Sequence, residues 1–263
     1  MSAKTITFAF QKGGIAKTTS ACNFGAGLKK SGYKVLLVDS DTQSSLSRIS
    51  GADISGEGIK TLTDVLRKEC TAEDAIQHLD IFDIIPSNES LIAFQDTMPG
   101  IANKDFLISR AIVKPLADKY DYIIFDTNAS FCDLAKNAIV AAQKVVIPMI
   151  ADEQSYSSLP QQITTIGVLN EGYEDWKAPT EIAGILITMY HQNEIVDKTY
   201  DKRIKEYAAD KGIKVFDTHI RFATAIKQSQ TERKNIFDSK ADSGVALDYF
   251  NFVREFLDME DKA

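Results

Sequence analysis

The sequence predicts a doubly wound α/β fold built on a mostly parallel β-sheet, and three observations support this. Short runs of continuous apolar, often β-branched residues recur along the chain, as is typical of strands buried on both faces of a sheet. Helical patterns lie between these runs, and strands alternating with helices indicate parallel pairing. The 263 residues are 44% hydrophobic and 25% charged, as in a globular chain with a core. We expect a single domain over residues 1–263.

The predicted elements follow in chain order. Apolar runs predict strands at residues 6–10, 35–38, 81–85, 122–125, 145–147 and 182–187. Helices are predicted at residues 18–31, 104–119, 133–142, 197–211 and 246–259, the last an amphipathic helix docked on the core. The polar, glycine-rich segment 49–60 is predicted to be a surface loop.

Composition excludes several classes of protein. Cys22, Cys70 and Cys132 are widely separated and odd in number, so we expect free thiols in a reducing compartment. Their spacing does not suit a zinc or iron–sulfur site. The sequence shows neither a signal peptide nor an apolar run of membrane-spanning length. We therefore expect a cytoplasmic protein.

The stretch from Phe10 to Ser20 has the character of a phosphate-binding loop. It lies between the first predicted strand and helix, where backbone N–H groups and a helix N-terminus can face an anion. Lys17 is placed to reach the β- and γ-phosphates of a nucleotide, and the Thr18 hydroxyl to bind Mg²⁺. A glycine-rich turn without a ligand is the alternative. The residues predicted to bind ATP are Lys12, Gly13, Gly14, Ile15, Ala16, Lys17, Thr18 and Thr19.

The common pattern G-x-x-x-x-G-K-[ST] is not met, because Gln11 and Ala16 occupy its glycine positions. The stretch fits K-G-G-x-x-K-[ST] instead, which resembles the deviant phosphate loop of ParA/MinD ATPases, specifically the Soj/ParA-like form without an N-terminal helix-turn-helix. This resemblance implies a P-loop NTPase fold, with ATP and Mg²⁺ as cofactors. In that group the lysine at the position of Lys12 crosses a homodimer interface to the partner's phosphates, as an arginine finger does in trans.

Ala16 stands where relatives of this group usually carry glycine. Alanine costs little there if the local φ is negative, and about 1 kcal/mol or more if φ is positive. The sequence leaves both possibilities open.

Two acidic segments follow predicted strands, where open α/β sheets place their ligands. Asp39 and Asp41 stand in a segment similar to the family's D-x-D-P-Q, with Thr42 replacing proline. By resemblance, Asp41 orients the attacking water and contacts the Mg²⁺ shell, while Asp39 holds the switch loop. A strand-capping turn is the alternative interpretation.

Asp126 ends a Walker B-like strand and would hold Mg²⁺ through a water. The resemblance thus assigns catalysis to Lys12, Lys17 and Asp41, and metal binding to Thr18, Asp41 and Asp126.

Charge is distributed unevenly along the chain. The net charge is −7, yet residues 198–240 hold eleven Lys and Arg against six Asp and Glu. Non-specific DNA binding requires such basic groups to face phosphates. The predicted DNA-binding residues are Arg221, Lys227, Arg233 and Lys234, whereas a solvated face is an equal alternative for the helix at 197–211.

The resemblance implies an ATP-dependent DNA partition ATPase associated with the nucleoid. Such a protein dimerises on ATP, binds DNA non-specifically and hydrolyses ATP slowly when a ParB-like centromere-binding partner stimulates it. Two alternatives are a ParA-like ATPase that positions a protein cargo, and a nucleotide-binding scaffold with weak hydrolysis. Acids outnumber bases after Val253, which opposes membrane binding. We also expect no operator-specific repression, since no N-terminal extension could house a helix-turn-helix.

Overall fold

A computed structural model describes residues 2–262. Its seven strands form one sheet with the order β3-β4-β2-β5-β1-β6-β7. Every neighbouring pair is parallel except β3 and β4. The predicted doubly wound, mostly parallel sheet is therefore confirmed. The strands are β1 (Lys4–Phe8), β2 (Val35–Asp39), β3 (Gln77–His78), β4 (Asp83–Ile85), β5 (Tyr122–Asp126), β6 (Lys144–Ile150) and β7 (Glu181–Thr188).

Helices cover both faces of the sheet. One apolar cluster packs α1 and α11 on one face, where the Phe24 ring lies 5.2 Å from that of Phe252 and 5.0 Å from that of Phe256. The α-helices are α1 (Lys17–Lys30), α2 (Ser45–Ser50), α3 (Leu62–Leu66), α4 (Ser90–Thr97), α5 (Lys114–Leu116), α6 (Asp133–Ala141), α7 (Glu153–Gly172), α8 (Ile195–Asp210), α9 (Thr224–Thr231), α10 (Ile236–Ser239) and α11 (Gly244–Glu260). No helix within residues 2–262 is both long enough and apolar enough to cross a membrane.

The register of the central strands positions the site. Phe8 pairs with Asp126, and Asp39 pairs with Asp126 on the other side, so β1, β2 and β5 end at the same level. The segments that leave these three strands therefore meet at one edge of the sheet. These segments are the phosphate loop, the loop containing Asp41, and the loop that begins at Thr127.

Several elements differ from the sequence-based prediction. The helix predicted at 104–119 is divided into a 3₁₀ turn at Lys104–Phe106, a π-helix at Ser109–Val113 and the short α5. Pro115 accounts for the break, because it has no N–H to donate to the carbonyl four residues earlier. The 20-residue α7 was not predicted, since its Ser, Thr and Gln content and the internal Pro160 disguise it. The predicted loop begins later than 49, because α2 extends to Ser50.

Candidate functional site

The phosphate loop connects the end of β1 to the first turn of α1. Gly14 has φ +72°, and Ala16, the N-cap residue of α1, has φ +62° and ψ +28°. Ala16 is therefore left-handed, which resolves the alternative that the sequence left open. An alanine there costs about 1–2 kcal/mol, because its Cβ crowds the following carbonyl. The loop opens on a cavity of about 360 Å³, lined by Gly13 through Thr19 together with Asp41, Ser45, Ile49, Thr127, Ala129 and Gln230.

The Lys17 side chain is buried beside this cavity. Its ammonium donates a hydrogen bond of 2.7 Å to the carbonyl oxygen of Lys12, which closes the loop on itself. Burial lowers the pKa of Lys17, and the nearby carboxylates of Asp126 and Asp41 oppose that shift. The ammonium is thus placed between the phosphate loop and an acidic cluster. A negatively charged ligand would relieve its desolvation.

Asp126 lies at the centre of the acidic cluster. Its side chain is fully buried, and neither carboxylate oxygen has a hydrogen-bond partner within residues 2–262. Burial, followed by the charge of Asp39, raises its pKa well above the ordinary range, and the Thr18 hydroxyl and Lys17 only partly oppose this. A buried acid without a partner is unusual in proteins and requires an explanation. A cation or its bound water would supply the missing partner, so the residues present fit a Mg²⁺ site.

Asp39 and Asp41 have different environments. Asp39 Oδ2 accepts hydrogen bonds from the backbone N–H and the hydroxyl of Ser47, at 2.8 and 2.6 Å, and Oδ1 accepts one from the Asp41 N–H at 3.1 Å. Asp39 thereby ties β2 to α2. Asp41 lines the cavity and accepts one hydrogen bond, from the Gln43 N–H at 2.9 Å. Burial raises the pKa of Asp41, and Lys17 opposes the shift.

Lys12 points towards the start of α7. Its ammonium lies 2.9 and 2.8 Å from the two carboxylate oxygens of Asp152 and 2.9 Å from the Ser155 hydroxyl. Asp152 is also the N-cap of α7, accepting a hydrogen bond from the Ser155 N–H at 2.7 Å. Sequence reasoning missed both partners. The spacing D-x-x-S before a helix was the available signal.

The comparisons with known proteins agree with this geometry. A family model described as "AAA domain" matches residues 3–176. The chain is 28% identical over 266 residues to the chromosome partitioning protein ParA of Caulobacter vibrioides, covering 98% of this chain and 95% of that protein. The chain belongs to this family, as a ParA-type ATPase.

Two further relatives show the range of ParA-type proteins. The maintenance of carboxysome distribution protein A of Synechococcus elongatus is 32% identical over 168 residues, covering 64% of this chain and 66% of that protein. The crystal structure of a putative plasmid partition protein from Borrelia burgdorferi, bound to AMPPNP, superposes with a TM-score of 0.75 at 28% identity. It covers 99% of each chain.

A second cavity, of about 250 Å³, adjoins the phosphate cavity in this ParA-type fold. Its far wall is largely apolar and includes Met189, Ile220, Phe222, Ile226 and Tyr249. Gly14, Ala16, Thr19 and Gln230 line both cavities. The two cavities therefore share one wall.

The predicted DNA-binding residues fall into two groups. Arg221 lines the second cavity and is held by Asp248 through Nε–H and Nη2–H bonds of 2.6 and 2.7 Å. Lys227, Arg233 and Lys234 are exposed, and none of them has an ion-pair partner within residues 2–262. Arg221 is therefore engaged by a carboxylate, whereas the other three are available to an external anion.

A groove of about 1220 Å³, larger than either cavity of the site, lies away from it, between α3 and the segment around Arg110. It contains none of the predicted site residues, so size does not identify the site here. The buried acids and the phosphate loop identify the site instead.

Proposed function

We propose that this chain is a partition ATPase, acting as one unit over residues 1–263. It binds Mg²⁺ and ATP, dimerises on ATP, binds DNA without sequence preference, and hydrolyses ATP slowly until a ParB-like partner accelerates it. The observation that carries the proposal is Asp126, which is buried near Lys17 at the edge where β1, β2 and β5 end and has no hydrogen-bond partner in the described part of the chain. The similarity to the Caulobacter ParA supports the partition role.

The phosphate loop and Lys17 bind the triphosphate. Backbone N–H groups at the start of α1 face the anion, and Lys17 neutralises charge that increases on the phosphates in the transition state. A bound Mg²⁺ would supply positive charge that neutralises part of the charge on the phosphates. Thr18, Asp41 and Asp126 would hold it, Asp126 through a water.

Asp41 orients the attacking water. It lines the phosphate cavity and is fixed by the Gln43 N–H, while Asp39 anchors the same loop through Ser47. Phosphoryl transfer requires positioning more than covalent chemistry, so a fixed carboxylate at this point suffices.

Lys12 completes the site of the second subunit. In the single chain its ammonium is bound by Asp152, so it must leave this carboxylate before it can contact the partner's phosphates. ATP then joins two subunits because each supplies a cation to the other's anion. The dimer doubles the number of exposed basic groups that can face DNA.

The exposed basic cluster consists of Lys227, Arg233 and Lys234, to which α2 adds Arg48. Gly51 at the end of α2 packs against the backbone of Arg233, and the exposed Arg48 lies in the last turn of α2. Clustered cations of this kind suit the regular phosphates of duplex DNA and support the proposed association with the nucleoid. We assign Arg221 a secondary role in DNA contact, because Asp248 already neutralises it.

A second candidate function is the positioning of a protein cargo by the same ATP cycle. The similarity to the carboxysome distribution protein favours it. The two functions share the nucleotide and DNA steps, and the partner that stimulates hydrolysis distinguishes them. A third candidate is a switch with almost no turnover, which the strained Ala16 favours.

The test measures phosphate release and assembly mass with no nucleotide, ADP and ATP, each with Mg²⁺ and with or without duplex DNA and a ParB-like partner. We expect the protein to be dimeric with ATP but not with ADP or without nucleotide. We expect ATP hydrolysis to be slow and to become faster when DNA and the partner are added. Lys12→Ala should still bind ATP but neither dimerise nor turn over, and Lys29→Ala, at the far end of α1, serves as control. Normal turnover in Lys12→Ala would overturn the trans role of Lys12, and background rates under all conditions would favour the switch.

A further inference from the structure

Gln230, near the end of α9, contacts the phosphate loop helix directly. Its Nε2 donates a hydrogen bond of 3.0 Å to the hydroxyl of Thr19, a residue 211 positions earlier in the chain. Gln230 also lines both cavities of the nucleotide site. We call the residues that line both cavities the shared strip. A nucleotide with its phosphates in one cavity and its base in the other must cross this strip, where Gln230 lies.

The segment after Gln230 is anchored to the same helix at its far end. The buried Asn23 of α1 donates to the Thr19 carbonyl at 2.9 Å and accepts a hydrogen bond from the Ile236 N–H at 2.8 Å. The intervening residues 231–235, which we call the basic turn, contain Arg233 and Lys234. Two consecutive turns of α1 thus hold the basic turn by both ends.

The basic turn also touches the loop that contains Asp41. A Cβ on Gly51 would lie 3.5 Å from the Arg233 carbonyl oxygen, so the end of α2 packs against the turn. The Asp41 loop runs directly into α2. Arg233 has φ +53°, a strained conformation for a residue with a Cβ, which requires the surrounding contacts to hold it.

We propose that Gln230 is a positioning residue that transmits nucleotide occupancy to the basic turn and so controls the presentation of Arg233 and Lys234 to DNA. The inference rests on the proposed function, because it assumes DNA binding that depends on ATP. A nucleotide in the shared strip fixes the Gln230 amide against Thr19. The basic turn, held to α1 at both ends and to α2 at its side, then takes one orientation.

The experiment compares Gln230→Met, which keeps the side-chain length but removes the amide, with the matched control Gln228→Met on the exposed side of α9. Affinity for a short fluorescent DNA duplex is measured with ATP and with ADP, and nucleotide affinity is measured separately. We expect the ratio of the two DNA affinities to fall about fivefold in Gln230→Met, the loss typical of one hydrogen bond. Nucleotide affinity should change less than the ratio does, and Gln228→Met should match the wild type.

A double-mutant cycle with Thr19→Val separates coupling from a structural role. If the Gln230–Thr19 contact transmits the signal, the ratio of DNA affinities with ATP and with ADP should be no lower in the double variant than in Gln230→Met alone. An unchanged ratio in Gln230→Met overturns the inference. So does an equal fall in DNA affinity with ATP and ADP accompanied by lower thermal stability, because that result assigns Gln230 to the fold. Absence of ATP-dependent DNA binding in the wild type overturns the proposed function itself, and the inference with it.

Discussion

The ammonium of Lys12 lies 2.8 Å from a carboxylate oxygen of Asp152, so an ion pair joins the phosphate loop to the N-terminus of α7. Burial acts to raise the pKa of Asp152, but the hydrogen bonds from Lys12 and Ser155 and the charge of Lys12 together outweigh it, and the pKa is below its ordinary value. Both side chains are partly exposed, at 18% and 35%, so the pair is breakable. Lys12 must therefore leave Asp152 before it can take the role proposed for it in a second subunit.

Asp152→Asn should release Lys12 without loss of the helix cap, since asparagine is an equally good N-cap. Loss of a partly exposed pair worth about 0.5–1 kcal/mol should lower the ATP concentration needed for dimerisation by about two- to fivefold. Sedimentation over a range of ATP concentrations measures this, with the adjacent Glu153→Gln as control. A higher ATP requirement in Asp152→Asn would show that Asp152 supports the dimer.

Asp126→Asn should have opposite effects on stability and activity. It replaces an ionisable group that is buried without a hydrogen-bond partner within residues 2–262, so the free energy of unfolding of the nucleotide-free protein in urea should rise by about 1–3 kcal/mol. Hydrolysis with Mg²⁺ should fall at least about 100-fold. Asp39→Asn is the matched contrast, because the Asp39 carboxylate accepts three hydrogen bonds, and this variant should lose stability. Destabilisation by both variants would contradict the metal role of Asp126.

Ala16→Gly should stabilise the protein. Relief of the left-handed strain is worth about 1–2 kcal/mol, and the greater freedom of glycine in the unfolded chain removes about 0.4–1 kcal/mol of that. Ala209→Gly, at an exposed position in α8, is a control for which the opposite effect is expected. It should lower the free energy of unfolding by about 1 kcal/mol. Denaturant unfolding measures both. A loss of stability in Ala16→Gly would mean that the alanine methyl makes a contact which compensates for its strain.

Reversing two charges in the basic turn should reduce the salt dependence of DNA binding. Each phosphate contact contributes about 0.9 to the slope of log affinity against log salt, so Arg233→Glu with Lys234→Glu should reduce that slope by about 2. Lys202→Glu, in α8, is the control, because Lys202 is already paired with Glu206 at 3.7 Å. An unchanged slope in the double variant would place the DNA surface elsewhere.

Glu260 should make the fold sensitive to acid. At the end of α11 it lies 2.5 Å from the Lys144 ammonium and 2.7 Å from that of Lys4, which ties the helix to two strands. Burial acts to raise the pKa of Glu260, but these ion pairs outweigh it and the pKa is lowered. The stabilisation is therefore complete above the unfolded pKa, about 4.3, and is lost as pH falls through the lower folded value.

Glu260→Gln should lower the free energy of unfolding by about 1 kcal/mol at pH 7 and by much less at pH 3, as measured by urea unfolding at each pH. Asp258→Asn, on the exposed side of the same helix, should show no such dependence. An equal loss at both values of pH would assign the effect of Glu260 to packing.

Much of the fold was predictable because its signals are local. The buried strands of a parallel sheet are recognisable as apolar runs, and all six predicted runs are strands or overlap one. Helix α7 was missed because its stability comes from packing and from the Asp152 cap rather than from helix propensity. The antiparallel β3 has two residues, too few for periodicity to reveal.

The sequence by itself determined the strands that lead into the site, the phosphate loop, and the presence of acids after β2 and β5. These follow from short-range pattern and from the rule that parallel strands end at one edge. Only the tertiary structure decided that Ala16 is left-handed, that Asp126 has no hydrogen-bond partner among the described residues, and that Lys12 is bound by Asp152. Each depends on groups brought together from distant parts of the chain, such as Lys12 and Asp152, 140 positions apart, and such pairings leave no periodic trace in a single sequence.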